Sequence, residues 1–259
     1  ILIGLVGSEM CIRDSHRIGE QEMNPELEKV LLKVQKPGRY AGGESNRVVK
    51  DQEQVDVRFA FCFPDVYEVG MSHLGMKILY GLFNEMDGVW CERVFAPWPD
   101  MEEQMREHQI PLYGLESGDA ITNFDFIGFT LQYELSYSNV LNMLDLAGIP
   151  LYAKDRKGLG RIVVAGGPCA CNCEPLADFL DLVFLGEGEE VDREVIELYR
   201  DCKKTGKTRE EFLAAAAGIE GVYVPSLYQV DYHEDGTVKS ISPTQGAVSY
   251  THLRAHETD

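Results

Sequence analysis

The chain has 259 residues and a formal net charge of −19, with 43 acidic residues against 24 lysines and arginines. So acidic a surface repels phosphate backbones, which excludes direct nucleic-acid binding by this stretch. No apolar run reaches the ~18 residues of a membrane span and no signal peptide is legible, so the sequence reads as that of a soluble, cytoplasmic protein.

The two ends stand apart from the rest. Residues 5–15, LVGSEMCIRDS, and 248–257, VSYTHLRAHE, back-translate into reverse complements of one another, one base out of phase. This inverted repeat resembles a sequencing adapter translated at both ends of an insert. Residues 1–15 and 247–259 are therefore expected to be adapter-derived, with the natural protein continuing past both cuts.

Between them, an N-cap Asn24, Pro25 and the apolar spacing of Leu27, Leu31 and Val34 predict a leader helix over 24–35. A Gly-rich extended segment follows, and the leader as a whole spans 16–54. The pattern then alternates. VRFAFCF (57–63) is an apolar run of the kind buried on both faces, and a helix over 72–85 is expected to start at Ser72. Further strands are expected over 90–96, 125–132, 161–167 and 182–190, with helices over 100–107, 137–146 and 191–203. Five strands alternating with helices over 55–205 predict an α/β fold, a doubly wound five-stranded parallel sheet of Rossmann-like type. Residues 206–246 read as a short helix and a β-hairpin, SLYQVDY and TVKSIS joined at HEDG, forming a linker.

Right-handed crossovers place every strand's C-terminal end on one edge, where such sheets bind ligands. The strand ends FPDVYEVG, TLQYELS, AGGPCACN and LGEGEE gather there. Paired glycines Gly166 and Gly167, like Gly186 and Gly188, either admit a ligand to the backbone or mark only a turn and a strand exit. Thr130 offers a hydroxyl. The acids Asp65, Glu68, Glu134, Glu187, Glu189 and Glu190 oppose a bare pyrophosphate, and no G-x-G-x-x-G or Walker loop follows a strand. Six cysteines remain once Cys11 is set aside, without the spacing of a secreted disulfide framework. The CACNC run at 169–173 lacks the two-residue gaps of common zinc and iron–sulfur sites and reads as small residues filling a tight turn.

Together, FCFPDVYEVGMSHLGMKILY, RVFAPWPDMEEQM, DFIGFTLQYELSYSNVLNMLDLAGIPLYA, VVAGGPCACNCEPLADFLD and FLGEGEE resemble the N-terminal region of a B12-binding radical SAM protein family, over about residues 27–243. The resemblance implies a cobalamin-binding type of α/β domain followed by a radical SAM barrel. The barrel's C-x-x-x-C-x-x-C motif is absent from this chain. The 4Fe–4S cluster and S-adenosylmethionine are thus expected only in a downstream domain, the expected partner of this one, and the fragment is expected to be catalytically silent alone. The resemblance further implies a corrin ring over the C-terminal edge. The loop carrying Asp65, Tyr67, Glu68, Val69, Gly70, His73 and Gly75 would border it. The nucleotide tail would run past Thr130, Leu131, Gly166 and Gly167, with Pro168, Gly186, Glu187 and Gly188 alongside. The D-x-H-x-x-G histidine motif is not met, since Asp65 and His73 are eight positions apart. His73 is therefore either a cobalt ligand or a helix-start residue making a local hydrogen bond. An alternative is a domain that lost the corrinoid and serves as a docking module. A receiver domain lacks its acceptor Asp, because the third strand ends in Thr130 and Leu131.

Overall fold

The structure, a computed structural model, describes residues 25–244; the adapter-like ends lie outside them. The sheet order is β2-β1-β3-β4-β5-β6, from strands β1 (Val57–Phe63), β2 (Val89–Phe95), β3 (Phe126–Thr130), β4 (Ile162–Gly166), β5 (Leu182–Phe184) and β6 (Val222–Tyr223). The first five pair in parallel, with Phe59 opposite both Cys91 and Phe126. β6 runs antiparallel to β5 and makes the sheet six-stranded and mixed, where five parallel strands were expected. Its two residues are too short to show a period. A separate hairpin pairs β7 (Tyr228–Tyr232) with β8 (Val238–Pro243), as the sequence predicts.

Side chains alternate along each strand, so one sheet has two cores. In β1, Ala60 and Cys62 face α1 (Pro25–Leu31), α4 (Pro99–Glu107) and α5 (Tyr137–Leu146). Phe59, Phe61 and Phe63 face α3 (Leu74–Glu85), α6 (Gly188–Thr205) and α7 (Arg209–Ala216). Phe59 stacks on Phe83 and Phe126 with ring centroids 4.5 and 5.6 Å away. Each such buried side chain contributes roughly 1.5–3 kcal/mol.

Helix boundaries follow local chemistry. α1 ends at Leu31, short of the expected 35, and Pro37 disfavours helical backbone at Lys36, which adopts φ 51°. The helix expected from Ser72 starts instead at Leu74: Ser72 ends a separate helix, α2 (Tyr67–Ser72), and the ring of His73 caps α3. β5 stops at Phe184, because Gly186 turns at φ 108° and Glu189 and Glu190 start α6, where carboxylates complement the helix dipole. α6 ends on Gly206 in the left-handed region, and α7 opens with a Thr208–Glu211 capping box.

The amino edge of the sheet is locked by buried charge. Asp181, just before β5, accepts from Val163 N at 2.8 Å and pairs with Arg156 at 3.2 Å and Arg209 at 2.5 Å. Asp125, just before β3, accepts from Arg58 N, Tyr199 Oη and Lys203 Nζ. Along the outer edge of β2, Val89, Cys91 and Arg93 are also paired, without a neighbouring strand. The Asn84 amide bonds both N–H and C=O of Cys91 at 3.0 Å. Arg93 N–H donates to Glu116 Oε2 at 2.7 Å and Arg93 O accepts from Leu115 N. Lys50 Nζ donates to Val89 O at 2.5 Å. Among the described residues no helix is long and apolar enough to cross a membrane.

Candidate functional site

In this strand order the crossovers leaving β1 and β3 depart to opposite faces, and a crevice opens between them at the carboxyl edge. A cavity of about 270 Å³ lies there, between α3 and α6. Its floor is Phe59 and Phe61 of β1, Gly128 of β3, Val164 of β4 and Phe184 just across on β5. Leu79 and Phe83 of α3 form one wall and Asp192 of α6 stands on the other.

Glycines make this space. A Cβ on Gly128 would fall 2.5 Å from the Phe59 ring, so only glycine lets that ring lie across β3. Gly167 turns at φ 99°, and a Cβ there would meet Leu131 O at 2.9 Å. At this point the chain leaves the sheet with its backbone bare toward the cavity.

A directed chain of hydrogen bonds borders the opening. Met76 N–H donates to His73 Nδ1 at 3.1 Å, which leaves the proton of the neutral ring on Nε2. Nε2 meets Gln132 Oε1 at 3.0 Å, and Gln132 Nε2 donates to Thr130 Oγ1 at 2.6 Å. Thr130, accepting from Gln132, keeps its own hydrogen to donate. Both nitrogens of His73 are therefore engaged in hydrogen bonds, one to the start of α3 and one to Gln132.

Of the residues singled out from the sequence, His73, Gly75, Thr130, Gly166, Gly167, Pro168, Gly186 and Gly188 converge on the cavity. The rest of the first loop does other work. Asp65 accepts from Val66 N and from the Tyr133 hydroxyl. Tyr67 Oη donates to Glu44 at 2.9 Å. Glu68 bonds Arg39 and Lys36; although burial acts to raise it, these cations hold its carboxyl down at about 2. Gly70 packs under Phe95, whose ring a Cβ would strike at 2.3 Å. Leu131 is buried on the opposite face, with its backbone bonded to Gly166 O and Cys169 N. Glu187 caps α6 by position and does not line the cavity. Val69 in α2, Leu74 at the start of α3, and Tyr133 and Leu135 after β3 are exposed apolar side chains, with Leu74 69% and Leu135 87% exposed.

The sequence reading missed the aromatic floor, Gly128, Gln132 and Asp192. A glycine in mid-strand was the available signal for Gly128. Asp192 is 5% exposed, and burial, with Glu189 adding repulsion, pushes its carboxyl up to about 8. The CACNC run folds as a 3-10 turn, Pro168–Asn172, with Cys171 Sγ donating to Pro168 O and Cys173 buried. Among the described residues no group of three or more His, Cys, Asp or Glu is disposed to hold a metal ion.

The fold is an α/β domain with a cavity at the carboxyl edge of its sheet. The family of radical SAM proteins, N-terminal, matches residues 75–225, more than half of the chain, and the chain belongs to that family. It is 30% identical over 135 residues to an uncharacterized protein of Methanocaldococcus jannaschii, a match covering 51% of this chain and 24% of that relative. The chain thus spans about a quarter of the length of the curated relative it matches. No solved structure matches it.

Proposed function

We propose that this chain is the corrinoid-binding part of a longer cytoplasmic radical SAM enzyme, holding the base at the end of cobalamin's nucleotide tail in the cavity between α3 and α6, with the tail's phosphate outside it. The observation that carries this reading is the cavity itself. It lies at the switch point between β1 and β3, is opened by Gly128 and edged by Gly166 and Gly167, and carries a free hydroxyl hydrogen on Thr130. Its aromatic floor suits a flat base, and the exposed side chains of Leu74 and Leu135, on the segments after β1 and β3, suit the apolar face of a macrocycle.

In this reading the chain's residues bind and orient; the cofactor supplies the reaction chemistry when bound. Thr130 donates to the tail, Gly167 admits it against bare backbone, and Phe59, Phe61 and Phe184 exclude water from it. His73 sets the direction of the hydrogen-bond chain that presents Thr130 to the cavity. The 4Fe–4S cluster and S-adenosylmethionine belong to the remainder of the longer protein, which docks over the same edge.

Equilibrium dialysis of the full chain against hydroxocobalamin tests the proposal, with circular dichroism confirming that the sample is folded. Stoichiometric retention, lost in a folded Gly128→Leu variant, is expected. A folded sample that retains none sinks the reading, and the exposed apolar side chains of Leu74 and Leu135 then favour a docking module without cofactor.

A further inference from the structure

Four carboxyl side chains are buried among the described residues: Glu92, Glu116, Asp181 and Asp192. Glu92 pairs with Arg58, Glu116 with Arg93, and Asp181 with Arg156 and Arg209. Asp192 alone has neither a cation nor a hydrogen-bond donor among the described residues. It lies beyond the first turn of α6, so it is no helix cap, and its Oδ2 stands 2.9 Å from where a Cβ on Gly188 would be. Gly188 thus leaves room for the carboxyl, which lines the cavity. A buried acceptor without a donor lowers stability unless something else completes it.

The surroundings narrow what completes it. Phe59, Phe61 and Phe184 below and Leu79 and Phe83 beside make a slot for a flat ring. Neither Lys nor Arg lines the cavity, and Glu189 stands next to Asp192, so an anionic group is opposed. Thr130 offers a hydrogen, because its oxygen already accepts from Gln132. An occupant must then present an acceptor to Thr130 and, to the Asp192 carboxyl, which burial keeps protonated near neutral pH, a donor beside an acceptor, as the amine and adjacent ring nitrogen of an aminopyrimidine edge do.

We propose that Asp192 selects the cavity's occupant, a flat, uncharged nitrogen heterocycle bearing an amino or hydroxyl donor that Asp192 accepts. This rests on the corrinoid reading in taking that heterocycle to be the base of the nucleotide tail. The cavity then prefers an adenine-type base, with its exocyclic amine, over a dimethylbenzimidazole, which offers methyl groups in its place. The discrimination comes from the buried acceptor, which a methylated ring leaves unpaired.

Calorimetric titration of the full chain tests this with two corrinoids, one carrying adenine and one dimethylbenzimidazole, and with free adenine and free dimethylbenzimidazole. Tighter binding of the adenine form by roughly ten-fold is expected. Asp192→Leu should abolish that preference, and Asp192→Asn, whose carbonyl still accepts, should keep most of it. Equal affinity for the two bases in the unaltered chain overturns the proposal, and so does a preference that survives Asp192→Leu. If neither corrinoid binds but free adenine does, and Asp192→Leu abolishes it, the corrinoid reading fails while selection by Asp192 stands. If nothing binds in any form, both fall. Should Asp192→Leu not fold, the ranking of the two bases by the unaltered chain decides.

Discussion

His73 and Gln132 are joined, Nε2 to Oε1, at 3.0 Å across the loops that follow β1 and β3. The contact couples a helix cap on one side of the switch point to Thr130 on the other. Removing the ring cuts both ends. His73→Ala should lose ~1 kcal/mol of stability through the missing cap. His73→Asn, whose side chain also accepts from Met76 N, should recover most of it. Urea denaturation midpoints of the three proteins check this, and equal midpoints would refute the capping role.

Gly128 sets the depth of the cavity. Gly128→Leu places a side chain where Phe59 lies and should cost ~1–3 kcal/mol from overpacking, besides filling the floor. Thermal unfolding gives the first quantity and cobalamin dialysis the second. A Gly128→Leu protein of unaltered stability would mean that the Phe59 ring moves aside freely.

Asp192 makes stability depend on pH with an unusual sign. Its carboxyl ionises at about 8 in the folded chain, against 3.8 ordinarily, so the unfolded chain binds fewer protons across that interval. Stability should fall as pH rises from about 4 to about 8, then level off. The titratable groups lining the cavity are His73, Glu189 and Asp192, so Asp192→Asn is the control that isolates the last. Its denaturation midpoint should match the unaltered chain near pH 4 and exceed it increasingly toward pH 8. Parallel curves would rule out a neutral buried Asp192.

At the opposite edge, Asp181 is the shared counter-charge of Arg156 and Arg209. Asp181→Ala leaves two buried guanidinium groups facing one another and removes the acceptor of Val163 N, at a cost of ~3–5 kcal/mol. The loss should appear in chemical denaturation with cofactor binding at the far edge unchanged in the folded fraction.

The alternation of apolar runs with helical segments made the parallel core legible, because VRFAFCF and RIVVAGG are apolar from Phe59 and Ile162 onward and so demand cover on both faces. The glycine pairs and Thr130 were legible as one edge, where the cavity opens, because the crossovers bring all the parallel strand ends together. What stayed hidden depends on pairing across the chain. β6 is two residues defined by its partner β5, and the division of labour within FPDVYEVGMSHLG depends on Arg39, Phe95 and Tyr133, which come from elsewhere. Asp192 sits in an acidic run, GEEVD, indistinguishable by sequence from a solvated helix start, and only the packing of α6 turns it inward.

Along β2 the side chains of Asn84, Glu116 and Lys50 stand where a further strand's peptide groups would be. A second molecule approaching that border finds every outward amide and carbonyl of Val89, Cys91 and Arg93 already engaged. That border is thereby closed to strand exchange between copies at Val89, Cys91 and Arg93 by three side chains and the backbone of Leu115 and Met86 rather than by a covering helix. Asn84→Ala is the smallest change that would unseal it, converting a well-behaved edge into a site of self-association.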